Sequence, residues 1–266
     1  MRSGIGLMGL VAGLAILASV AEARPLRIMA LDQCADQYVL AMAPDAELLL
    51  THRADGRDAF YAHLAKGHRQ VRPTLENAVS FKPNVVVRYW GGDSRLLRRL
   101  EQDGIAVVTI EDARDFEAIR QNILNVGRVL NRPEAADNII ARMDEKLSKS
   151  DGAGRAEKVA YLTASGFTAG PDTLIDSILR AAGFRNAVVK TGYIPFGLER
   201  ALMQPPFKIV RGFFEHAFSD WRGTGRHPVL SRFYKGQVVT ELPVSTLTCP
   251  AWFAADAVVA LAETQQ

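Results

Sequence analysis

Apolar residues recur along this chain in two alternating rhythms. Short, nearly continuous apolar runs at 26–31, 48–51, 85–89, 105–110, 158–163, 209–214 and 237–242 have the length and β-branched content of buried strands. Between them, apolar positions three and four apart predict helices at 36–42, 58–66, 94–102, 173–182, 198–203, 228–234 and 251–262, with a short one opening at Thr74. Asp115 reads as the cap of a further helix with Phe116, Ile119, Ile123 and Val126 on one face. Strands alternating with helices predict parallel sheets covered on both faces.

The longest helical pattern lies mid-chain, over 131–150. Asn131 reads as its cap, and Pro133 as a first-turn residue with no N–H to lose. Ala136, Ile139, Ile140, Met143 and Leu147 form the apolar stripe, and Asp137, Arg142, Glu145, Lys146 and Lys149 fill the other face. From Pro133 to Lys149 such a helix spans about 25 Å. The strand–helix series stops before it and restarts after it. The expected fold is therefore α/β, with two Rossmann-like lobes of parallel sheet, 24–130 and 151–266, joined by this single long linking helix. Open parallel sheets bind ligands beyond the carboxyl ends of their strands. Two such sheets facing each other share one cleft, lined by the segments 32–36, 88–93, 164–170 and 214–226.

A content of 48% hydrophobic residues in a chain of 266 supports packed cores. The formal net charge of +3 is too mild to suggest nucleic acid as a partner, and no basic run interleaved with aromatics appears. Arg95, Arg98 and Arg99 read as the solvated face of a helix. Residues 1–23 look like a cleavable secretory signal: Arg2 is followed by an apolar run and then Ala21-Glu22-Ala23, so cleavage is expected after Ala23 and the mature chain in the periplasm. Asp32 and Gln33 before Cys34 are not small residues, which argues against lipidation. In an exported chain, Cys34 and Cys249 either form a disulfide or stay as two buried thiols; the disulfide is the expectation.

Sequence signals for catalysis are few. No G-x-S-x-G elbow, phosphate loop or G-x-G-x-x-G is present, and the five histidines, His63 and His68 among them, fall in no metal-ligand spacing. Asp32, Asp36 and Asp93 could place a carboxylate pair in the cleft, but Asp36 reads more simply as a helix cap than as a catalytic group. No enzyme, cofactor or protein-bound metal is therefore expected. Aromatics and guanidinium groups do gather at the strand ends: Arg88, Tyr89 and Trp90 after one strand, and His216, Trp221, Arg222 and Arg226 after another. Flat rings and planar cations suit a bulky anionic ligand with a flat or aromatic periphery.

RIMALDQCADQYVLAMAP, TLENAVSFKPNVVV, DTLIDSILRAAGF and HPVLSRFYKGQVVTEL, in that order, resemble the periplasmic substrate-binding proteins of the ferric-siderophore, haem and vitamin B12 ABC importers. The resemblance covers nearly all of the mature chain. It departs at Gln33, where the family usually has proline, at Asn84, where it usually has an acid, and at 214–217. It implies a monomeric carrier that captures a metal chelate, with a ferric siderophore expected first and haem or cobalamin as alternatives; a sensory protein without transport or an exported enzyme is the second alternative. The carrier would deliver its cargo to the permease subunits of an ABC importer. The metal would arrive inside its chelate. Arg88, Tyr89, Trp90, Tyr193, His216, Trp221, Arg222 and Arg226 are the candidate ligand contacts. The resemblance also implies one docking glutamate on each lobe: Glu76 in TLEN and Glu199 in GLER.

Overall fold

The computed structural model describes residues 25–150, 157–197, 208–216 and 222–265, together with Met203. The expected leader with its cleavage point, Glu199, Trp221 and most of the helix expected over 198–203 lie outside the described residues.

The first lobe is a five-stranded sheet of β1 (Arg27–Ala30), β2 (Glu47–Thr51), β3 (Arg69–Val71), β4 (Val85–Arg88) and β5 (Ala106–Thr109), in the order β3-β2-β1-β4-β5. Every pairing is parallel. Helices α1 (Gln33–Met42), α2 (Leu75–Phe81), α3 (Ser94–Gln102) and α4 (Phe116–Val129) cover it. The second lobe has a parallel sheet of β6 (Lys158–Thr163), β8 (Arg185–Asn186), β10 (Lys208–Gly212) and β11 (Val238–Glu241), in the order β11-β10-β6-β8. A small antiparallel ribbon of β7 (Phe167–Ala169) and β9 (Tyr193–Pro195) stands beside it. Helices α6 (Leu174–Ala181), α7 (Pro228–Phe233) and α8 (Ala254–Ala262) complete the lobe. Between the lobes runs α5 (Pro133–Lys149).

The central strands are apolar on both faces because helices cover both faces. Ile28, Met29, Val86, Val87, Ile209 and Val210 are fully buried. The short polar strand β3 and the ribbon had no alternating or continuous apolar run to announce them. The expected helix over 58–66 is instead a string of turns, with Ala59, Ala62 and Leu64 each donating a backbone bond to the residue three before. Within it the backbone N–H of Tyr61 donates to Oε1 of Gln37, 24 positions away, at 2.6 Å.

Asn131 proves to be the end of α4 rather than the start of α5. It takes the left-handed conformation at φ 54°. Its N–H reaches the Arg128 carbonyl, and the next N–H, of Arg132, reaches the Gly127 carbonyl at 2.7 Å. That pair of bonds is a Schellman closure, in which Asn serves where Gly is usual. Arg132 is then the boundary residue of α5, and Pro133 sits in the first turn as expected. Thr173 caps α6, accepting from the Asp176 N–H.

Ion pairs tie α5 to its neighbours: Arg120 of α4 to Asp144, and Lys146 to Asp256 of α8 at 2.7 Å. A second attachment lies where residues 248–253, leading into α8, seat on the first lobe. Cys34 and Cys249 are disulfide-bonded across 215 positions of sequence. Nearby the Tyr38 hydroxyl donates to the Pro250 carbonyl at 2.8 Å, Trp252 Nε1 donates to the Tyr61 hydroxyl at 3.1 Å, and Phe60 stacks on Phe253 at 4.5 Å.

Candidate ligand cleft

The strand orders predict which loops meet between the lobes. The loop after β2 carries Arg57 and Asp58, and the β10 and β11 ends carry Phe214 to His216 and Pro243 to Ser245. These meet around a cavity of about 640 Å³. Arg57 Nη2 donates to the Glu215 carbonyl at 2.7 Å, and Asp58 Oδ2 lies 3.5 Å from Nε2 of His216. At the opposite edge, Asp112 to Arg114 after β5 face Asp172 to Leu174 and Thr191 to Tyr193 around a cavity of about 350 Å³.

Between these cavities the ends of β1 and β4 are held by one side chain. Asp32 caps α1 by accepting from the Ala35 N–H at 2.9 Å through Oδ1. Its Oδ2 accepts from the Tyr89 and Gly91 N–H groups at 2.6 and 2.8 Å. The chain folds this tightly because residue 91 is glycine: a Cβ there would lie 2.1 Å from the Leu31 carbonyl oxygen. Arg88 Nε closes the same turn on the Gly91 carbonyl at 2.7 Å. Tyr89 and Trp90 are thus presented on a rigid turn, in edge contact at 5.2 Å. Trp90 is 74% exposed. The Tyr89 hydroxyl donates to Asp112 Oδ1 at 2.9 Å, and burial, followed by Asp112, pushes its pKa up to about 12. Tyr193, 60% exposed on the second lobe, is raised by its surroundings and by the same Asp112 carboxylate. The phenols of the two lobes therefore stay neutral around one acid.

The other expected contacts have more internal roles. Arg226 closes a single 3₁₀ turn, Thr224–Arg226, that rests on the end of β6, where a Cβ on Gly225 would come within 2.0 Å of the Thr163 carbonyl oxygen. Its guanidinium donates to the Phe214 carbonyl and lies 5.1 Å from the Phe214 ring centre, while Arg211 lies over the same ring at 4.9 Å. His216 packs edge-on to Phe213 at 5.7 Å. Arg222 is exposed. Glu76 stands exposed in the first turn of α2, its carboxyl held below the usual range by its own backbone N–H and the Thr74 hydroxyl. Asp112, Arg57 and Asp58 were not anticipated as cleft residues, whereas Glu215 lies in the expected cleft segment 214–226. Only their places at strand ends and in the loop after β2 could have marked them.

Asp36, expected as a helix cap, lies instead within α1, whose cap is Asp32, and is fully buried. Asp36 accepts from the Thr51 N–H at 2.9 Å and from the Thr51 hydroxyl. Burial pushes its pKa up to about 7. Thr51 Oγ1 in turn accepts from the Arg53 N–H at 3.3 Å, which orients the loop that carries Arg57 and Asp58. Among the described residues no cluster of three or more His, Cys, Asp or Glu side chains is arranged to hold a metal ion.

Comparison with known proteins agrees with this geometry. The periplasmic binding protein family matches residues 28–210. An uncharacterised ABC transporter substrate-binding lipoprotein of Bacillus subtilis, YvrC, is 24% identical over 51% of this chain and 48% of its own length. A cobalamin-binding protein of Halobacterium salinarum is 25% identical over 56% of this chain and 43% of its own. The chain thus spans about half the length of these curated relatives. Among solved structures, the periplasmic haem-binding protein HutB of Vibrio cholerae superposes with a TM-score of 0.72 at 14% identity, covering 90% of this chain and 98% of its own. The vitamin B12 binding protein BtuF of the same organism superposes at 0.64 and 19% identity, covering 90% and 96%. A parallel two-lobed fold, a cleft at facing strand ends and a family match over most of the described chain lead to one assignment: this chain belongs to the periplasmic binding protein family.

Proposed function

We propose that this protein is the substrate-binding component of an ABC importer, acting in the periplasm after its leader is cleaved at Ala23. It captures a bulky metal chelate between its lobes, such as a ferric siderophore, a haem or a cobalamin, and hands it to the permease. It acts by binding, as a monomer, and catalyses no step. The observation that carries this reading is the turn that presents Tyr89 and Trp90 at the cleft beside Asp112, with Tyr193 of the second lobe opposite. A broad, flat ligand meets rings on both lobes without a conformational search. Arg88, His216, Trp221, Arg222 and Arg226 complete the proposed contact set, and Glu76 and Glu199 are the proposed permease-docking carboxylates. The two-lobe proteins of the same fold that bind haem or vitamin B12 support the ligand class. Tryptophan fluorescence, titrated with ferric siderophores, haemin and cyanocobalamin, tests it. Saturable quenching by one chelate is the expected result, lost largely in Trp90→Phe. No quenching by any of them would remove the reading.

A further inference from the structure

The chain leaves β10 in a conformation that a bulky residue rarely takes. Gly212 ends the strand, and Phe213 then lies in the left-handed region at φ 62°. That region suits glycine and strains phenylalanine, so the residue stays there only where its surroundings hold it. Here the holders are identifiable. Within the second lobe, Arg226 donates to the Phe214 carbonyl, Arg226 and Arg211 lie against the Phe214 ring at 5.1 and 4.9 Å, and Glu241 of β11 accepts from the Glu215 N–H. From the first lobe, Arg57 Nη2 donates to the Glu215 carbonyl at 2.7 Å, and Asp58 Oδ2 lies 3.5 Å from His216 Nε2. These last two contacts join opposite walls of the 640 Å³ cavity.

The first-lobe wall is well fixed. Ala54, Gly56 and Ala59 each donate a backbone bond to the residue three before, Ala54 and Ala59 are buried, and Phe60 stacks on Phe253. The lobes are also joined at 248–253 by the disulfide. Access to the cavity therefore falls to a local element, and the strained wall is the one that gains by changing shape. We propose that residues 213–216 are a latch on this cavity, held shut by Arg57 and Asp58, and that cargo enters and leaves when those contacts part and Phe213 relaxes. This rests on the ligand-binding reading above and adds Arg57 and Asp58 to it as positioning residues. A latch that is shut in most copies slows loading in proportion to the fraction that is open.

Hydrogen exchange and binding kinetics of the purified protein test it. In cargo-free Arg57→Ala, amide exchange over 213–216 should speed up by at least about tenfold, with β1 and 248–253 unchanged. The Arg57 side chain is 68% exposed, so its removal leaves no hole in the core. Asp58→Asn, which keeps shape, should act in the same direction, and Arg57→Lys should keep part of the protection. Phe213→Gly, at ease at this φ, should slow the exchange instead, a sign that a simple loss of packing does not give. Cyanocobalamin, ferrichrome and haemin serve as binding probes, followed by Trp90 quenching in stopped flow. A probe that binds should associate at least about tenfold faster with Arg57→Ala than with the parent. Unchanged exchange in both Arg57→Ala and Asp58→Asn, or unchanged association of a probe that binds, would overturn the latch and leave the carrier reading in place. No binding by any probe would overturn the carrier reading, and the exchange rates alone would then uphold or overturn the latch.

Discussion

Asp32 governs more of this site than any aromatic in it. A charged acceptor serving three backbone N–H groups contributes about 1.5–3 kcal/mol per well-made bond, less where water substitutes. We expect Asp32→Ala to cost about 2–3 kcal/mol in urea denaturation, and to weaken ligand binding because Tyr89 and Trp90 lose their fixed turn. Asp36 gives a prediction with a sign. Its pKa is about 7 when folded, against about 3.8 when unfolded. The folded state therefore holds a proton that the unfolded state has lost. Stability from this group is fully present below pH 4, and it declines as pH rises to about 7. Asp36→Asn, which keeps an acceptor for Thr51, should flatten that decline, so its Tm gain over the parent is larger at pH 8 than at pH 4. Residue roles were only partly legible in the sequence. Tyr89 and Trp90 stood out as aromatics directly after an expected strand, and β4 does end at Arg88, just before them. The work of Asp32 was hidden because its partners are backbone groups 57 and 59 positions away. The internal bonds of Arg88 and Arg226 were not legible either, because a guanidinium reads the same in sequence whether or not it also holds a loop carbonyl.

Elements were more legible than side chains, since continuous apolar runs and caps are local signals. β6 falls on the residues expected, and α5 runs from Pro133 to Lys149 as its stripe implied. What failed was settled by distant partners or by conformation. Residues 58–66 form turns, one N–H of which is taken by the distant Gln37, and a left-handed Asn131 turned an expected start into a stop. The Cys34–Cys249 bond was expected and is present. Closing 215 positions of chain limits the unfolded state strongly, by up to about 5 kcal/mol in the chain-entropy account. Denaturation of Cys34→Ser/Cys249→Ser, compared with the parent without reductant, should show a loss between about 2 kcal/mol and that bound.

At the scale of the molecule, the alternation of strands and helices sufficed to state the two-lobed fold. Sequence alone could not state which loops oppose each other, because that follows from strand order. With β2 and β3 at one edge and β5 at the other, Arg57 meets Glu215 and Asp112 meets Tyr193. If docking proceeds through the lobe tops, Glu76→Lys should abolish capture by detergent-solubilised permease while leaving chelate affinity within about twofold, because Glu76 is exposed at the start of α2 and absent from the lining of both cavities. The seat of residues 248–253 on the first lobe bears on traffic at that permease. On the carrier proposal, halves joined by a covalent bond, two hydrogen bonds and a ring stack should keep nearly the same outline empty and full, and empty copies should compete with loaded ones for the same dock. Uptake should rise with carrier abundance only until empty copies crowd the dock, and fall beyond that point.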